Sequence, residues 1–256
     1  MIFTVNIANS HITLGCVDQD RVLFQERIFS DTRKTELEYS IDILNAFRIH
    51  GCELDQVSGS VISCVVPVLL PVFSGAVFRL FSLEPVIVSA KAQHLISFRT
   101  NRPEEIGPNL IVTAVAASGL YGTPTIVIDM STATTISVID EDRVFIGASI
   151  LPGAMTSMNA LIGNAAQLSA FRFEEDAITA IGRTTEQSLA GGAIYGNVGM
   201  IDGILDRMEK ELPTAPKIVA TGRLSAILAP FCRHSIILDE SLSIRGLAMI
   251  YNERSL

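Results

Sequence analysis

The sequence predicts an α/β protein made of two copies of one domain, and three observations carry that expectation. The first is the stretch from Thr125 to Gly153, TIVIDMSTATTISVIDEDRVFIGASILPG. Its apolar run Ile126-Val127-Ile128 ends in Asp129, small or hydroxylated residues follow from Ser131 to Thr135, and a second β-branched run occupies Ile136 to Ile139. This reads as strand, tight turn, strand. The second is a repeat of the same grammar near the beginning, where a strand from Phe3 ends around Asn6, Ala8, Asn9 and Ser10 follow, and Ile12 to Val17 forms the next strand. VNIANSHITLGCVDQDRVLF and IDMSTATTISVIDEDRVFI match at an offset of 123 residues at Asn6 with Asp129 and 122 at Val17 with Ile139, which places a one-residue slip inside a strand. The third is the alternation of short apolar runs with helix-periodic segments along the rest of the chain.

After the first copy, SDTRKTELEYSIDILNAFRIHG carries Leu37, Ile41, Leu44 and Phe47 at helical spacing, with Gly51 as a stop signal. Ser58 to Val66 reads as a buried strand ended by Pro67, followed by an apolar helix up to Phe81 and a strand at Pro85 to Val88. Ser97 to Gly107 reads as a loop, and Leu110 to Leu120 as a packed helix near which the domain boundary falls. Past Pro152-Gly153, a helix is expected from Ala154 to Leu161 and a surface excursion from Leu168 to Ile181. In the segment SLAGGAIYGNVGMIDGILDRMEKEL, Gly192, Gly196, Gly199 and Gly203 recur near four-residue spacing, which allows close helix packing either against a second subunit or within the domain. Lys217 to Thr221, meeting Gly222, and Ile236 to Asp239 are further strands, and Ile244 to Tyr251 is a closing helix.

Composition narrows the function classes. The 256 residues are 48% hydrophobic, enough to bury the core of one large domain or two ordinary ones. Net charge is −8 and no stretch concentrates Lys or Arg, which excludes duplex nucleic acid and anionic membranes as partners. Cys16, Cys52, Cys64 and Cys232 lie far apart without a CxxC pair, and MIFTVNIANS has no basic n-region, so a cytoplasmic protein with reduced thiols is expected. The histidines form no ligand set with spaced Cys, Asp or Glu, although His11 sits in a turn. Glu104-Glu105 and Asp140 to Asp142 read as solvated loop and hairpin-tip acids, and Cys64 as an inert residue of an apolar strand. A turn rich in Ser, Thr and Ala beside one carboxylate suits phosphates and a cation, and equally an ordinary hydroxyl-rich hairpin.

The paired strand–turn–strand units resemble the superfamily of sugar kinases, acetate kinases, heat-shock chaperones and actin, whose fold is two actin-like, ribonuclease H-like domains with a cleft between them. Within it, NIANSH, DTRKTELEY, VISCVVP, PEEIG, IVIDMSTATT, GASILPG, IGRTTEQS, KIVATG and LSIRGLAMIY follow in the order of the type III pantothenate kinase family, nearly end to end. The resemblance implies domains at 1–112 and 113–256, and ATP-dependent phosphorylation of the primary hydroxyl of pantothenate in coenzyme A biosynthesis. It also implies a homodimer that uses Mg²⁺ and a monovalent cation, K⁺ or NH₄⁺. Asp129 matches the family's second aspartate, as catalytic residue and metal ligand. Asn6, Asn9, Ser10, His11, Asp129, Thr132 and Thr134, with Thr135, fall where the nucleotide is held, and Gly107, Asn109 and Thr185 where the substrate is.

This sequence departs from the family where the chemistry lies. Asn6 replaces the first-turn aspartate, Ala8 a glycine, and Gly107-Pro108-Asn109-Leu110 stands for Gly-x-Asp-Arg, whose aspartate is the general base and whose arginine holds substrate. Thr100 replaces a tyrosine, Ser131 a glycine, and Arg223 the second glycine of Thr-Gly-Gly. An amide neither carries a negative charge nor accepts a proton at physiological pH, so kinase activity is expected to be weak or lost. The alternatives are an enzyme with a different acceptor, a non-catalytic pseudokinase that binds nucleotide as a regulator or partners an active kinase, and a structural paralogue.

Overall fold

The structure is a computed structural model that describes residues 1–91, 93–165 and 178–254. By contact the chain forms two compact units, one of Met1–Leu120, Arg143–Phe145 and Ser241–Leu256, the other of Tyr121–Asp142 and Ile146–Glu240. Division by contact therefore returns the closing segment to the first unit, whereas the duplicated sequence divides the chain once.

The first unit contains β1 (Ile2–Ile7), β2 (His11–Asp18), β3 (Arg21–Phe29), α1 (Glu36–Ile49), β4 (Gly59–Cys64), α2 (Leu70–Phe81) and β5 (Val86–Ile87). Its sheet runs β3-β2-β1-β4-β5, with β1 antiparallel to β2 and parallel to β4. The sequence gives no separate signal for β3, because Gln25, Glu26 and Arg27 dilute the alternation of a strand at the sheet edge. Side chains alternate across the sheet, so Phe3, Val5, Ile7, Leu14 and Ile62 share one face and pack with Tyr39, Ile43, Phe47 and Phe73 of α1 and α2. The helix from Glu36 is opened by a capping box, with the Thr35 hydroxyl accepting from Glu38 N–H and Glu38 accepting from Thr35 N–H, and is followed by Gly51 at φ +64. Its buried stripe is not the expected one. Leu37 and Ile41 are exposed, while Tyr39, Ser40, Ile43, Ala46 and Phe47 are buried. The Tyr39 ring lies 4.4 Å from Phe73 and its hydroxyl donates to Asp31 O, which fixes the helix about its axis.

On the other face of that sheet lies α7 (Leu242–Arg254), where Ile244 abuts Gly15 and Ala248 joins Val17 and Ile244 in a small cluster. Behind it runs α3 (Pro108–Tyr121); a Cβ at Gly246 would come within 2.2 Å of Val112 O. The expected loop at Ser97 to Gly107 contains β6 (Ser97–Phe98), paired with Val144 and Phe145, and a short 3₁₀ turn at Pro103–Glu105.

The second unit contains β7 (Thr125–Met130), β8 (Ala133–Ile139), most of β9 (Val144–Pro152), α4 (Ala154–Asn164), α5 (Thr185–Glu211), β10 (Lys217–Thr221), α6 (Ser225–Leu228) and β11 (Ile236–Leu238). Its strands are ordered β11-β10-β7-β8-β9, with β10 parallel to both β7 and β11. Ile126, Ile128, Ile136 and Val138 face Ile194, Val198, Ile201 and Leu205 of α5. The excursion expected from Leu168 to Ile181 lies outside the described residues as far as 177. A Cβ at Gly192, Gly196 or Gly199 meets nothing within 4 Å, so this glycine face of α5 has no packing partner among the described residues.

A polar clamp ties the second half of α5 to the segment that enters β11. The buried Asp202 carboxylate accepts from Arg233 N–H at 3.1 Å and from His234 Nδ1 at 2.8 Å, and Arg233 and His234 also reach Asp206, with His234 Nε2 3.6 Å from Glu209. Burial pushes the Asp202 carboxyl up, but hydrogen bonds from His234 and from the Arg233 backbone and guanidinium outweigh it, and its pKa lies below the ordinary aspartate value. Since the unfolded chain binds this proton more readily, the contribution is present above the usual aspartate range and lost as pH falls through it. Asp202→Asn is expected to cost about 1–3 kcal/mol at pH 7. Urea unfolding at pH 7 and pH 3 checks this: the gap from wild type should narrow at pH 3, below the ordinary aspartate value, and an equal gap at both values would refute the charged role.

The duplication is visible in the strand registers. Asn6 pairs with Thr13 on β2 and with Ser63 on β4; Asp129 pairs with Thr135 on β8 and with Thr221 on β10. The slip falls in the turn, not in a strand: Ala8, Asn9, Ser10 and His11 separate the pair Ile7 and Ile12, whereas Ser131, Thr132 and Ala133 separate Met130 and Thr134. A turn absorbs an extra residue at little cost, while a slip within a strand would send its apolar side chains to the wrong face.

Candidate nucleotide and substrate sites

In the first unit, Asn6 stands near the carboxyl end of β1, on the face opposite the Phe3, Val5 and Ile7 core. The carboxyl ends of parallel strands are where open α/β sheets bind ligands. Asn6 Oδ1 and Ser63 Oγ are buried there without a hydrogen-bond partner among the described residues. The adjoining turn is tightly held. Ala8 N–H donates to His11 O at 3.1 Å, and Ser30 donates through Oγ to Ala8 O at 2.5 Å and through N–H to Ser10 O at 3.1 Å. With those carbonyls occupied, Asn9 and Ser10 present an exposed turn tip, and the His11 ring lies 5.0 Å from Phe29. Gly107 and Asn109 occupy a separate place at the head of α3, where Gly107 O accepts from Leu110 N–H at 2.9 Å and Asn109 O from the Thr113 hydroxyl at 3.1 Å. The Thr100 hydroxyl, in the preceding loop, is buried and unpartnered among the described residues.

In the second unit, Asp129, Thr135 and Thr221 share the face opposite the α5-covered core. Thr135 is 9% exposed, and its Oγ1 has no partner among the described residues. Gly222, at φ +92, brings backbone so close that a Cβ would sit 2.6 Å from Asp129 Oδ1. The tip of the hairpin carries Thr132, whose carbonyl accepts from Gly153 N–H at 3.2 Å and from the Thr156 hydroxyl at 2.6 Å. Thus α4 begins against the turn, and its amides, which no side chain caps, add positive potential there. The structure brings Asp129, Thr132 and Thr135 together at one hairpin, whereas Thr134, buried and paired with Met130, lies on the face covered by α5. Thr185 belongs to another element, the first turn of α5, beyond the Thr184 cap.

Sequence reasoning passed over Ser63, Thr221 and Gly153. The signal for the first two is a hydroxyl inside an apolar run, in VISCVV and KIVATG, at strands parallel to the turn-bearing ones. Cys16 and Cys232 are pushed up to about 12 and about 11, and Cys64 is also raised, in each case first by burial, which makes them poor nucleophiles. Among the described residues, no group of three or more His, Cys, Asp or Glu is arranged to hold a metal ion, and no helix is long and apolar enough to cross a membrane.

Comparison with known proteins agrees with this topology. The chain is similar to a Baf family protein from Campylobacter jejuni (TM-score 0.59, 17% identity, covering 99% of this chain and 98% of that one). It is also similar to the ethanolamine utilization protein EutJ from Carboxydothermus hydrogenoformans (TM-score 0.56, 16% identity, covering 97% and 89%). At these identities the likeness speaks for the fold, which is the duplicated actin-like one. In sequence it is 35% identical to the type III pantothenate kinase of Listeria monocytogenes over 251 residues, 98% of this chain and 96% of that one. It is 34% identical to that of a Geobacillus species over 254 residues, 99% and 98%. The family model for type III pantothenate kinase matches residues 2–207. The chain belongs to the type III pantothenate kinase family.

Proposed function

We propose that this chain is a cytoplasmic phosphotransferase-like protein that binds a nucleotide, ATP in the first instance, but phosphorylates pantothenate weakly or not at all. The observation that carries the reading is Asn6, whose buried Oδ1 has no partner among the described residues, in the register position matching Asp129 of the second hairpin. A carboxylate there would supply charge to a hydrated cation; the amide does not. Asn109 and Leu110 compound the loss, because neither can accept the substrate proton or hold a carboxylate. Mg²⁺ is commonly held by one or two carboxylates together with phosphates and water, and Asp129 fits one such position; a monovalent cation, K⁺ or NH₄⁺, belongs to the same reading. The open glycine face of α5, with Tyr195 and Met200 partly exposed beside it, supports a homodimer.

A positioned general base is worth about 10²- to 10⁴-fold. With ATP, Mg²⁺, K⁺ and pantothenate, a coupled ADP assay should therefore read at least about 10²-fold below the lower end of the 1–10³ s⁻¹ range typical of enzymes. Turnover within that range would overturn the inactivity. The non-catalytic reading, a nucleotide-binding regulator or the partner subunit of an active kinase, is favoured by the Asp129 hairpin keeping its carboxylate while Asn6 has none.

A further inference from the structure

We infer that the outer face of α1 is an interface between two copies of this chain, in which the two α1 helices pair antiparallel about a two-fold axis. Leu37, Ile41, Leu44 and Arg48 recur at intervals of four, three and four residues, the spacing of an a/d seam. The helix does not use that seam within its own unit. Its inward stripe is complete with Tyr39, Ser40, Ile43, Ala46 and Phe47, while Leu37 is 55% and Ile41 47% exposed and Leu44 is only partly buried. Leu37, Ile41 and Leu44 thus lie along one outward stripe of a helix whose rotation is fixed by Tyr39 against Phe73.

The charges along the stripe make a second copy the partner that fits. The first turn of α1 is acidic, with Glu36 and Glu38, and its last turn basic, with Arg48. Glu36 is held by Arg79. Both bonds from Thr35 to Glu38 fall on Oε2, which leaves Oε1 able to accept, and the exposed Arg48 guanidinium makes no ion pair among the described residues. In an antiparallel pair each a residue faces a d residue of the other helix, which sets Ile41 against the partner's Leu44 and Arg48 against the partner's Leu37. The aliphatic stem of Arg48 then covers that leucine, while its guanidinium reaches the carboxylate of Glu38, one residue further on. A parallel pair would instead bring Arg48 against Arg48 and Glu38 against Glu38. Two-fold symmetry makes every favourable contact twice. This face is separate from the glycine face of α5, so the inference stands apart from the homodimer proposed above.

Sedimentation equilibrium of the full chain over about 1–100 μM, the range in which a small interface assembles, tests this. Ile41→Glu should halve the mass of the assembled species, from tetramer to dimer if the α5 face also associates and from dimer to monomer if it does not. Because Ile41 is half exposed, the variant should keep the circular dichroism of the wild type. Arg48→Glu should weaken association by at least about tenfold, the worth of one charge-assisted hydrogen bond, and added salt should weaken the wild type in the same direction. Equimolar Ile41→Cys and Leu44→Cys chains should cross-link with each other on oxidation, and faster than Ile41→Cys chains among themselves. Equal masses for wild type and Ile41→Glu overturn the inference, whether the face is bare or receives a different protein. Cross-linking of Ile41→Cys with itself in preference to the mixed pair overturns the antiparallel arrangement.

Discussion

The triple variant Asn6→Asp, Asn109→Asp, Leu110→Arg is expected to raise kcat/KM for pantothenate by at least about 10²-fold, the low end of what a positioned base contributes. The three changes belong together because groups serving one transition state are not additive, so each single variant should recover only a small part of the gain. The surroundings of Asn6 also predict a stability signature. Asp is nearly isosteric with Asn, but its charge would be placed beside the buried Ser63 hydroxyl and Thr13, with no cation in the register positions next to it. Asn6→Asp alone should therefore lower stability by about 1–3 kcal/mol at neutral pH without nucleotide. Excess Mg²⁺-ATP should recover part of that loss, since a ligand that binds only the folded state adds stability by mass action. Asn109 and Leu110 are only partly buried at the start of α3, so their replacements should fold without a comparable cost. A folded triple variant that shows no gain with pantothenate would mean that these positions do not account for the expected inactivity.

Much of the fold could be read from the chain because it rests on local patterns. The hairpins at Asn6 and Asp129 announce themselves by β-branched runs around hydroxyl-rich turns, and α1 by its capping box and Gly51. Other features depend on partners distant in sequence. The spacing of Leu37, Ile41 and Leu44 predicts a helix but not its rotation, which is set by Tyr39 meeting Phe73 and Asp31. The hydroxyls beside the two turns were hidden for the same reason. Ser63 and Thr221 reach Asn6 and Asp129 only through parallel strand pairing, which no local pattern encodes. The glycines of α5 show the converse case: their spacing announces close packing, while the choice between a second subunit and the same domain depends on what faces them, and among the described residues nothing within 4 Å does at Gly192, Gly196 and Gly199.

Replacing Gly222 by Ala is expected to destabilise the protein by about 2–4 kcal/mol and to abolish detectable nucleotide binding. Two effects add. At φ +92 the residue lies in a region that residues with a Cβ rarely enter, at a cost of about 1–3 kcal/mol. The new methyl would also sit 2.6 Å from Asp129 Oδ1 and 2.7 Å from the Met130 backbone, and the backbone of a central strand cannot yield cheaply. Relief requires the loop to lift, which breaks the Leu224 N–H to Met130 O hydrogen bond and moves Asp129 out of its register with Thr221. Gly153→Ala separates the two causes. Gly153 has an ordinary φ of −66, yet its Cβ would meet Ser131 O at 2.4 Å and Thr132 O at 2.5 Å, so it tests crowding at the turn without backbone strain. Thermal melts with and without ADP should show both variants destabilised, Gly222→Ala the more, and neither protected by ADP. If Gly222→Ala melted like wild type, the loop would not be pinned beneath Asp129. If it were destabilised but still protected by ADP, the Asp129 turn would not be where the nucleotide's phosphates bind.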